Sequence, residues 1–334
     1  MIEKPRFTAA DRVLVTGAGG FIGSHLTEAL ANAGANVCAL VHYNSRNDWG
    51  NLEDLDKELL RSINVVSGDV RDSYFMRSLI RDRTIIFHLA ALIAIPYSYS
   101  APASYVATNV EGTLNVLQAA LDSKVERVVH TSTSEVYGTA QYVPIDEAHP
   151  LQAQSPYSAS KIAADKIAES FYTSFNLPVV TVRPFNTFGP RQSARAVIPT
   201  IAIQALAGHR VRLGSLAPVR DLNFVSNTVE GMMLASKSER AIGQVINLGS
   251  GIGVTIGELA IRMFAQIGVN SEIETDSDRL RPEKSEVMEL IASAKRAEQL
   301  LDWKPRVSLE EGLTCTLDWI RSHLGQYKAG LYNV

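Results

Sequence analysis

The sequence predicts an α/β fold: a doubly wound parallel sheet followed by a smaller C-terminal substrate-binding region. Three observations carry this reading. Short β-branched runs alternate with longer helical patterns through the first half, and such alternation lays parallel strands beneath helices on both faces. A glycine-rich turn joins the first run to the first helical pattern. From about Arg191 the alternation loosens, and Pro199, Pro218, Pro282 and Pro305 cut the chain into short elements.

In order, Val13-Leu14-Val15 reads as a strand and residues 21–33 as a helix. Residues 37–41, Val65-Val66 and Ile85-Ile86-Phe87 read as the next three strands. A long helix over 103–121 leads to a strand at Val128-Val129. A second long helix, 157–175, precedes a strand at 179–182, after Pro178. The expected division is a nucleotide-binding Rossmann domain over 1–190 and a mainly substrate-binding region over 191–325, which returns in part to the sheet.

Composition narrows the function classes. The 334 residues are 46% apolar and 20% charged, with a formal net charge of -3. That near-neutral balance gives no electrostatic reason to expect nucleic acid or an anionic membrane. The longest apolar run, 85–95, contains His88 and is too short to span a bilayer. Met1-Ile2-Glu3-Lys4-Pro5 has no signal-peptide core. Cys38 and Cys315, the only cysteines, read as buried or partly buried thiols rather than a disulfide. The expectation is a soluble cytoplasmic protein with no metal centre.

The turn after the first strand reads Thr16-Gly17-Ala18-Gly19-Gly20-Phe21-Ile22-Gly23. Glycines allow the backbone to approach a diphosphate, and the helix N-terminus offers free N–H groups and a positive dipole end. The strand before and the helix after supply the context the motif needs. For NAD the second strand should end in an acid that takes the ribose hydroxyls. It ends instead in Val41-His42-Tyr43-Asn44-Ser45-Arg46. Either Arg46, with His42, meets a 2′-phosphate, or Arg46 is a solvated loop charge. On balance the strand end favours NADP over NAD.

Chemistry gathers between 128 and 161. Val128-Val129-His130-Thr131-Ser132-Thr133-Ser134-Glu135 is a buried-strand pattern running into a polar stretch. Tyr157 and Lys161 follow at i and i+4 on a helix, hence on one face. A nearby ammonium lowers a phenol's pKa, so that the phenolate can accept an alcohol proton. Thr133, at the strand's end, is placed to bond the oxidised oxygen, although strand-end β propensity alone would also put a threonine there. Glu135 reads as a carbon base, the group that separates a dehydratase from a plain dehydrogenase, or else as a solvated loop acid.

With these residues in place, the chain resembles the extended short-chain dehydrogenase/reductases that act on nucleotide sugars, over nearly its full length. His88-Leu89-Ala90-Ala91, Thr108-Asn109-Val110-Glu111-Gly112-Thr113, residues 183–190, Arg220-Asp221 and Leu301-Asp302-Trp303-Lys304-Pro305 fit that family. Thr133-Ser134-Glu135 resembles the 4,6-dehydratases. The dTDP-glucose enzymes carry Asp where this chain has Ser134, whereas the GDP-mannose enzymes carry Thr-Ser-Glu. UDP-glucuronate decarboxylases share Thr-Ser-Glu but usually read Tyr-Asp-Glu-Gly-Lys at the pair, and 4-epimerases usually lack the Glu. Residues 42–50 and 192–199 are most similar to dehydratases of legionaminic-acid-type pathways, which act on a nucleotide-linked N-acetylglucosamine.

The resemblance implies a tightly bound NAD(P)+ held by Gly17, Gly20, Phe21, Ile22, Gly23, His42, Arg46, Asp69, Val70, Leu89, Ala90, Ala91, Tyr157 and Lys161. Asp69 matches the position that contacts adenine, and its alternative is a cap for the helix from Ser73. Thr133, Ser134, Glu135, Tyr157 and Lys161 would be catalytic. Asn186, Val197, Arg220 and Arg281 would hold the nucleotide sugar, arginine suiting diphosphate through its fork. Arg281 has a second reading as a surface charge. Members of the family pair their two long helices into a homodimer, and Leu114, Leu117, Ile162 and Phe171 are apolar positions available for that interface.

Overall fold

The computed structural model describes residues 5–327 apart from His209. Met1–Lys4, most of the stretch read for a leader, lies outside the described residues. Seven strands form the central sheet: β1 (Arg12–Thr16), β2 (Asn36–His42), β3 (Asn64–Gly68), β4 (Ile85–His88), β5 (Arg127–Thr131), β6 (Val179–Pro184) and β7 (Val245–Leu248). They run parallel in the order β7-β6-β5-β4-β1-β2-β3. The chain winds one way from β1 through β3 and the other way from β4, so β1 and β4 flank the crevice where such sheets bind ligands.

Strand alternation sorts the core into two layers. Val13, Val15, Val37, Ala39, Val41, Phe87 and Val129 pack on one face. Leu14, Cys38, Leu40, Ile86 and Val128 pack on the other. Helix α1 (Phe21–Asn32) covers the first face. Helices α2 (Gly112–Asp122) and α3 (Pro156–Phe175) cover the second, through Val116, Leu117, Ala168 and Phe171. Leu117 and Phe171, read from the sequence as interface positions, are therefore spent on the sheet, at 1% and 5% exposed. Leu114 is exposed and Ile162 half-buried.

The long helix expected over 103–121 is an α-turn at Pro102–Tyr105, a π-helical stretch at Val106–Glu111, and α2. The wider turn has a local cause. The Asn109 side chain turns away to bond the backbone of Leu92 and the Ser160 hydroxyl, and the Thr113 hydroxyl donates to the Asn109 carbonyl at 2.6 Å. Such π turns concentrate at functional sites.

The C-terminal half divides its residues. Helix α4 (Val225–Lys237) and β7 belong to the central sheet and its first core layer. A second core gathers Phe188, Ile198, Ile201, Val211, Leu222, Leu259, Met263 and Leu317. Beside it, Val219–Asp221 pairs antiparallel with Gly253–Thr255 and parallel with Glu289–Leu290. Cys38 is buried and Cys315 exposed, both as free thiols; the expectation of burial thus fails at Cys315. Among the described residues no helix is long and apolar enough to cross a membrane.

Candidate active site

At the crevice, Thr16 ties its two lips together. Its hydroxyl accepts from the Leu89 and Ala90 amides at 3.1 Å each and meets His88 Nδ1 at 2.8 Å. The glycine loop above it is built of close approaches. A Cβ at Gly17, where φ is +72°, would lie 2.8 Å from the Ala90 nitrogen, and one at Gly23 only 2.1 Å from the Gly17 carbonyl oxygen. Gly20 starts α1 with no side-chain cap and no acid in the first turn. Backbone amides at an uncapped helix start suit a diphosphate, so the chain's own geometry fits a dinucleotide here.

Two segments wrap this loop that sequence reasoning missed. The Asn51 amide donates to the Gly19 carbonyl at 3.0 Å, and its side chain donates to the Arg191 carbonyl at 3.1 Å. His25 Nε2 meets the Pro190 carbonyl at 2.9 Å, and Arg191 pairs with Glu28 at 2.8 Å. No motif marks the Asn51–Arg191 and His25–Pro190 contacts, because they join residues 140 and 165 positions apart.

Asp69 lies just beyond β3. It does not cap the following helix. Asp72 does, accepting from Phe75 N at 3.0 Å. Asp69 instead accepts from Arg71 through its backbone amide and its guanidinium, and pairs with His42 at 3.6 Å. The hydrogen bonds from Arg71 hold the Asp69 carboxyl below the usual range, against burial. Val70 is buried against Gly112. Arg46 is exposed on a loop organised by Asn44, whose side-chain oxygen takes the Arg46 and Asp48 amides.

The catalytic candidates meet at the C-terminal end of β5. Thr133 opens a short 3₁₀ turn, Ser134–Tyr137, and its hydroxyl accepts from Glu135 N at 3.2 Å. Gly138 closes the turn at φ +64°, where a Cβ would crowd Gln152 and Gln154. The turn buries Ser134, Val136 and Tyr137 and leaves Glu135 half-buried. Opposite it, Ser155 and Ser158 form a capping box with Pro156 in the first turn, which fixes where α3 starts and so where Tyr157 stands.

Tyr157 is 6% exposed and hydrogen-bonds the Thr133 side chain. Lys161 is 4% exposed, and its Nζ donates to the Thr131 carbonyl at 2.7 Å. Burial pushes the Lys161 amine down to about 8, opposed by Asp165. One expectation needs correcting. Lys161 was expected to lower the Tyr157 phenol, but that phenol is raised. Burial is the largest cause, the Thr133 hydrogen bond opposes it, and the Glu135 charge adds to it. The amine points to the strand rather than to the phenol.

Farther along the chain, Arg220 and Arg281 approach Glu286 at 3.5 and 3.6 Å. Arg281 is thus drawn into the cluster, not left as a surface charge. Burial lowers Arg220, and the Glu135 charge is the main influence opposing that, so Glu135 lies within electrostatic reach of both Tyr157 and Arg220. The buried Oδ1 of Asn186 has no hydrogen-bond partner among the described residues. Val197 opens the helix Val197–Leu206 and packs on the C-terminal core.

The sequence also gave no hint of a buried polar cluster behind Lys161. Asp165 Oδ1 accepts from His130 Nε2 at 3.1 Å. Its Oδ2 accepts from Ser132 Oγ at 2.8 Å and from Arg183 Nε and Nη2 at 3.2 and 2.9 Å. A cleft of about 550 Å³ lies on this flank of α3, lined by Glu147, Lys166, Tyr172 and Gln244 as well as Asp165 and Arg183. Tyr157, Thr133 and Glu135 take no part in it.

Strand order, glycine loop and the Tyr157–Lys161 helix define a short-chain dehydrogenase/reductase of the kind that works on nucleotide sugars. The chain belongs to the family described as GDP-mannose 4,6 dehydratase, whose model matches residues 14–316. It is 28% identical over 328 residues to the dTDP-D-glucose 4,6-dehydratase of Homo sapiens, covering 96% of this chain and 92% of that one. It is 32% identical over 318 residues to a UDP-glucose 4-epimerase of Mycolicibacterium smegmatis, covering 93% and 99%. The crystal structure of the dTDP-glucose 4,6-dehydratase DesIV of Streptomyces venezuelae, with NAD bound, superposes with a TM-score of 0.86 at 31% identity, over 95% of this chain and 99% of that one. Dehydratases and epimerases thus stand at similar distances from it.

The Gly17 carbonyl leaves no room for a Cβ at Gly23, which yields a direct test. Overpacking of this kind costs roughly 1–3 kcal/mol. Expressed at the diphosphate cradle, that is about a ten- to hundredfold loss of dinucleotide affinity in Gly23→Ala. Calorimetric titration with NAD reads it, and wild-type affinity would remove the glycine loop from cofactor binding.

Proposed function

We propose that this chain is an NAD(P)-dependent nucleotide-sugar 4,6-dehydratase that converts UDP- or GDP-linked N-acetylglucosamine to the 4-keto-6-deoxy sugar. The observation that carries the reading is the position of Glu135, half-buried on the turn beside Tyr157 and within reach of the Arg220 charge. A reaction that only oxidises and re-reduces C4 has no use for a base at C5. The second reading is a 4-epimerase, favoured by the 32% identity to a mycobacterial epimerase and by Ser134 where the dTDP-glucose dehydratases carry Asp. A UDP-glucuronate-type decarboxylase would use the same scaffold.

In this proposal Gly17, Gly20, Phe21, Ile22 and Gly23 hold the dinucleotide's diphosphate. Asp69 and Val70 face its adenine, with His42 and Arg46 near the adenosine ribose. Leu89, Ala90 and Ala91 line the path to the nicotinamide half, which Tyr157 and Lys161 hold. When bound, the dinucleotide would supply reversible hydride chemistry for oxidation at C4 and reduction at C6, so no external reductant would be needed. Asn186, Arg220 and Arg281 take the nucleotide sugar's diphosphate and ribose, and Val197 lines the same side. Residues 191–325 are mainly the substrate-binding region, except that α4 and β7 support the sheet.

Tyr157 removes the C4 hydroxyl proton while Thr133 bonds the same oxygen. The resulting ketone acidifies the C5 hydrogen. Glu135 takes that proton, and the C6 hydroxyl leaves as water. Its proton comes from Glu135 itself or through Ser134.

Incubation with a panel of nucleotide sugars followed by mass spectrometry separates the readings: loss of water for a dehydratase, loss of carbon dioxide for a decarboxylase, no mass change for an epimerase. In Glu135→Gln, dehydration is expected to fall about a hundred- to ten-thousandfold, the usual scale of general base catalysis. C4 oxidation should survive and appear as reduced-nicotinamide absorbance. Dehydration at the wild-type rate would make Glu135 structural and put the epimerase first.

Cofactor choice is tested separately. The similar DesIV structure holds NAD. If Arg46 meets a 2′-phosphate, Arg46→Ala weakens NADP and spares NAD. Equal effects on both would leave Arg46 a solvated loop charge.

The working form is proposed to be a homodimer, paired through the helical stretch from Pro102 to Asp122 and α3. Val106 and Leu114 are exposed there, at 49% and 42%. Sedimentation at micromolar concentration should show twice the 36.4 kDa chain mass. A monomer alone would rule the pairing out.

A further inference from the structure

The Asp165 cluster lies outside every role assigned so far, and its geometry is specific. Lys161 is anchored on the Thr131 carbonyl at 2.7 Å. Asp165, one turn further along α3, binds the residues on either side of that carbonyl, His130 at 3.1 Å and Ser132 at 2.8 Å. Ser132 directly precedes Thr133, which holds Tyr157. On its other side Asp165 binds the Arg183 guanidinium of β6. Arg183 in turn donates to Tyr137 Oη at 2.9 Å and lies over its ring, 4.9 Å from the centroid. Tyr137 is the last residue of the turn that carries Glu135. The residue before Thr133 and the last residue of the turn are therefore fastened to one carboxylate, Ser132 directly and Tyr137 through Arg183.

We propose that Asp165 is a positioning residue that sets the Thr133–Glu135 turn and the Tyr157–Lys161 pair in register with each other. The proposal rests on the roles given above to Tyr157 and Lys161, but it holds for dehydration and epimerisation alike, since both begin with oxidation at C4. Asp165 touches no substrate. It acts through the backbone it holds and through its charge, which both Lys161 and Tyr157 feel. The other titratable or charged groups facing this cluster are His88 of β4, His130 of β5, Arg183 of β6, Tyr105, Glu135, Tyr137, and Glu147, Lys166 and Glu169 of the adjoining cleft.

The test uses the cofactor-loaded protein and three variants. Asp165→Asn keeps the shape and removes the charge. Cofactor loading and KM should stay near wild type, while kcat falls roughly ten- to a hundredfold, the scale of a small misplacement of reacting groups. Removing a negative charge lets Tyr157 and Lys161 lose their protons more readily, so the pH profile of kcat should move to lower pH. Asp165→Glu should recover part of the rate and restore the profile. A folded Asp165→Asn with wild-type kcat and an unmoved profile overturns the proposal.

If Asp165→Asn does not fold, Ser132→Ala decides: it removes one donor and keeps the charge. Its kcat should fall with KM unchanged, and wild-type kcat overturns the proposal. Wild type inactive on every sugar would count against the function above, not against this inference. In that case the side-chain NMR titration of Lys161 in lysine-labelled protein gives the answer. It should move to lower pH in Asp165→Asn, or in Ser132→Ala shift its Lys161 resonance from the wild-type position; no change overturns the proposal.

Discussion

Burying a carboxylate costs several kcal/mol unless donors fill its oxygens, and Asp165 is buried with donors from β5 and β6 around it. Burial alone would raise its carboxyl. The His130 hydrogen bond and the Arg183, His130 and Lys161 charges outweigh that and hold it below the usual range. An ionised Asp165 then gives the cluster only one good arrangement, because removing any donor leaves a buried charge underfilled. That demand fixes three elements against each other: the helix that carries Tyr157, the strand whose end carries Thr133, and the strand that leads to Asn186. Packing of Val and Ile side chains brings these elements together, but apolar contacts tolerate small slides that directional hydrogen bonds do not.

The same logic operates on the other side of the crevice with uncharged groups. Thr16 holds the segment after β4, and Asn109 extends the hold by bonding Leu92 and Ser160 together. Ser160 sits on α3 next to Lys161. The glycine loop and the helix that carries Tyr157 and Lys161 are thus linked through Thr16, the segment Leu89 to Leu92, and Asn109. The π turn around Asn109 is the backbone's cost for aiming that side chain. It explains why a helical pattern that contains no proline departs from α geometry there, just before Gly112.

Local and periodic features were legible in the sequence. The strand alternation fixes the two core layers, and the glycine triplet, the Tyr-x-x-x-Lys spacing and the Thr-Ser-Glu run each lie within a few residues. What escaped is set by tertiary contact. Asp165 looks like one more polar residue on a long helix until β6 brings Arg183 beside it. Asp69 reads as a cap for the helix from Ser73, but the structure gives that role to Asp72, directly before the helix, while Arg71 engages Asp69. Leu117 and Phe171 fit an apolar stripe, but a stripe does not say whether the sheet or a second chain covers it. The Tyr157–Lys161 pair shows the limit most plainly. Its i, i+4 spacing places both side chains on one face, yet where the amine points depends on the Thr131 carbonyl, which the helix sequence does not contain.

Ser134 poses the remaining chemical question, and the structure narrows it. Its side chain is buried within the turn, and a serine hydroxyl holds its proton far too tightly to act as an acid near neutral pH. Elimination across C5 and C6 nevertheless needs one proton removed and one supplied. On the proposed chemistry a single carboxylate meets both needs: Glu135 is ionised when it takes the C5 proton and is thereby the acid that the C6 hydroxyl requires. The elimination balances, since the carboxylate returns to its starting state as water departs; hydride addition at C6 then calls for one proton at C5, equal in number to the one Tyr157 took from the C4 hydroxyl. The arrangement asks only that Glu135 reach both carbons from one side of the sugar. Fastening the Ser132 backbone that leads into its turn, and Tyr137 at the turn's end, to the Asp165–Arg183 pair is a means of keeping one carboxylate in that position.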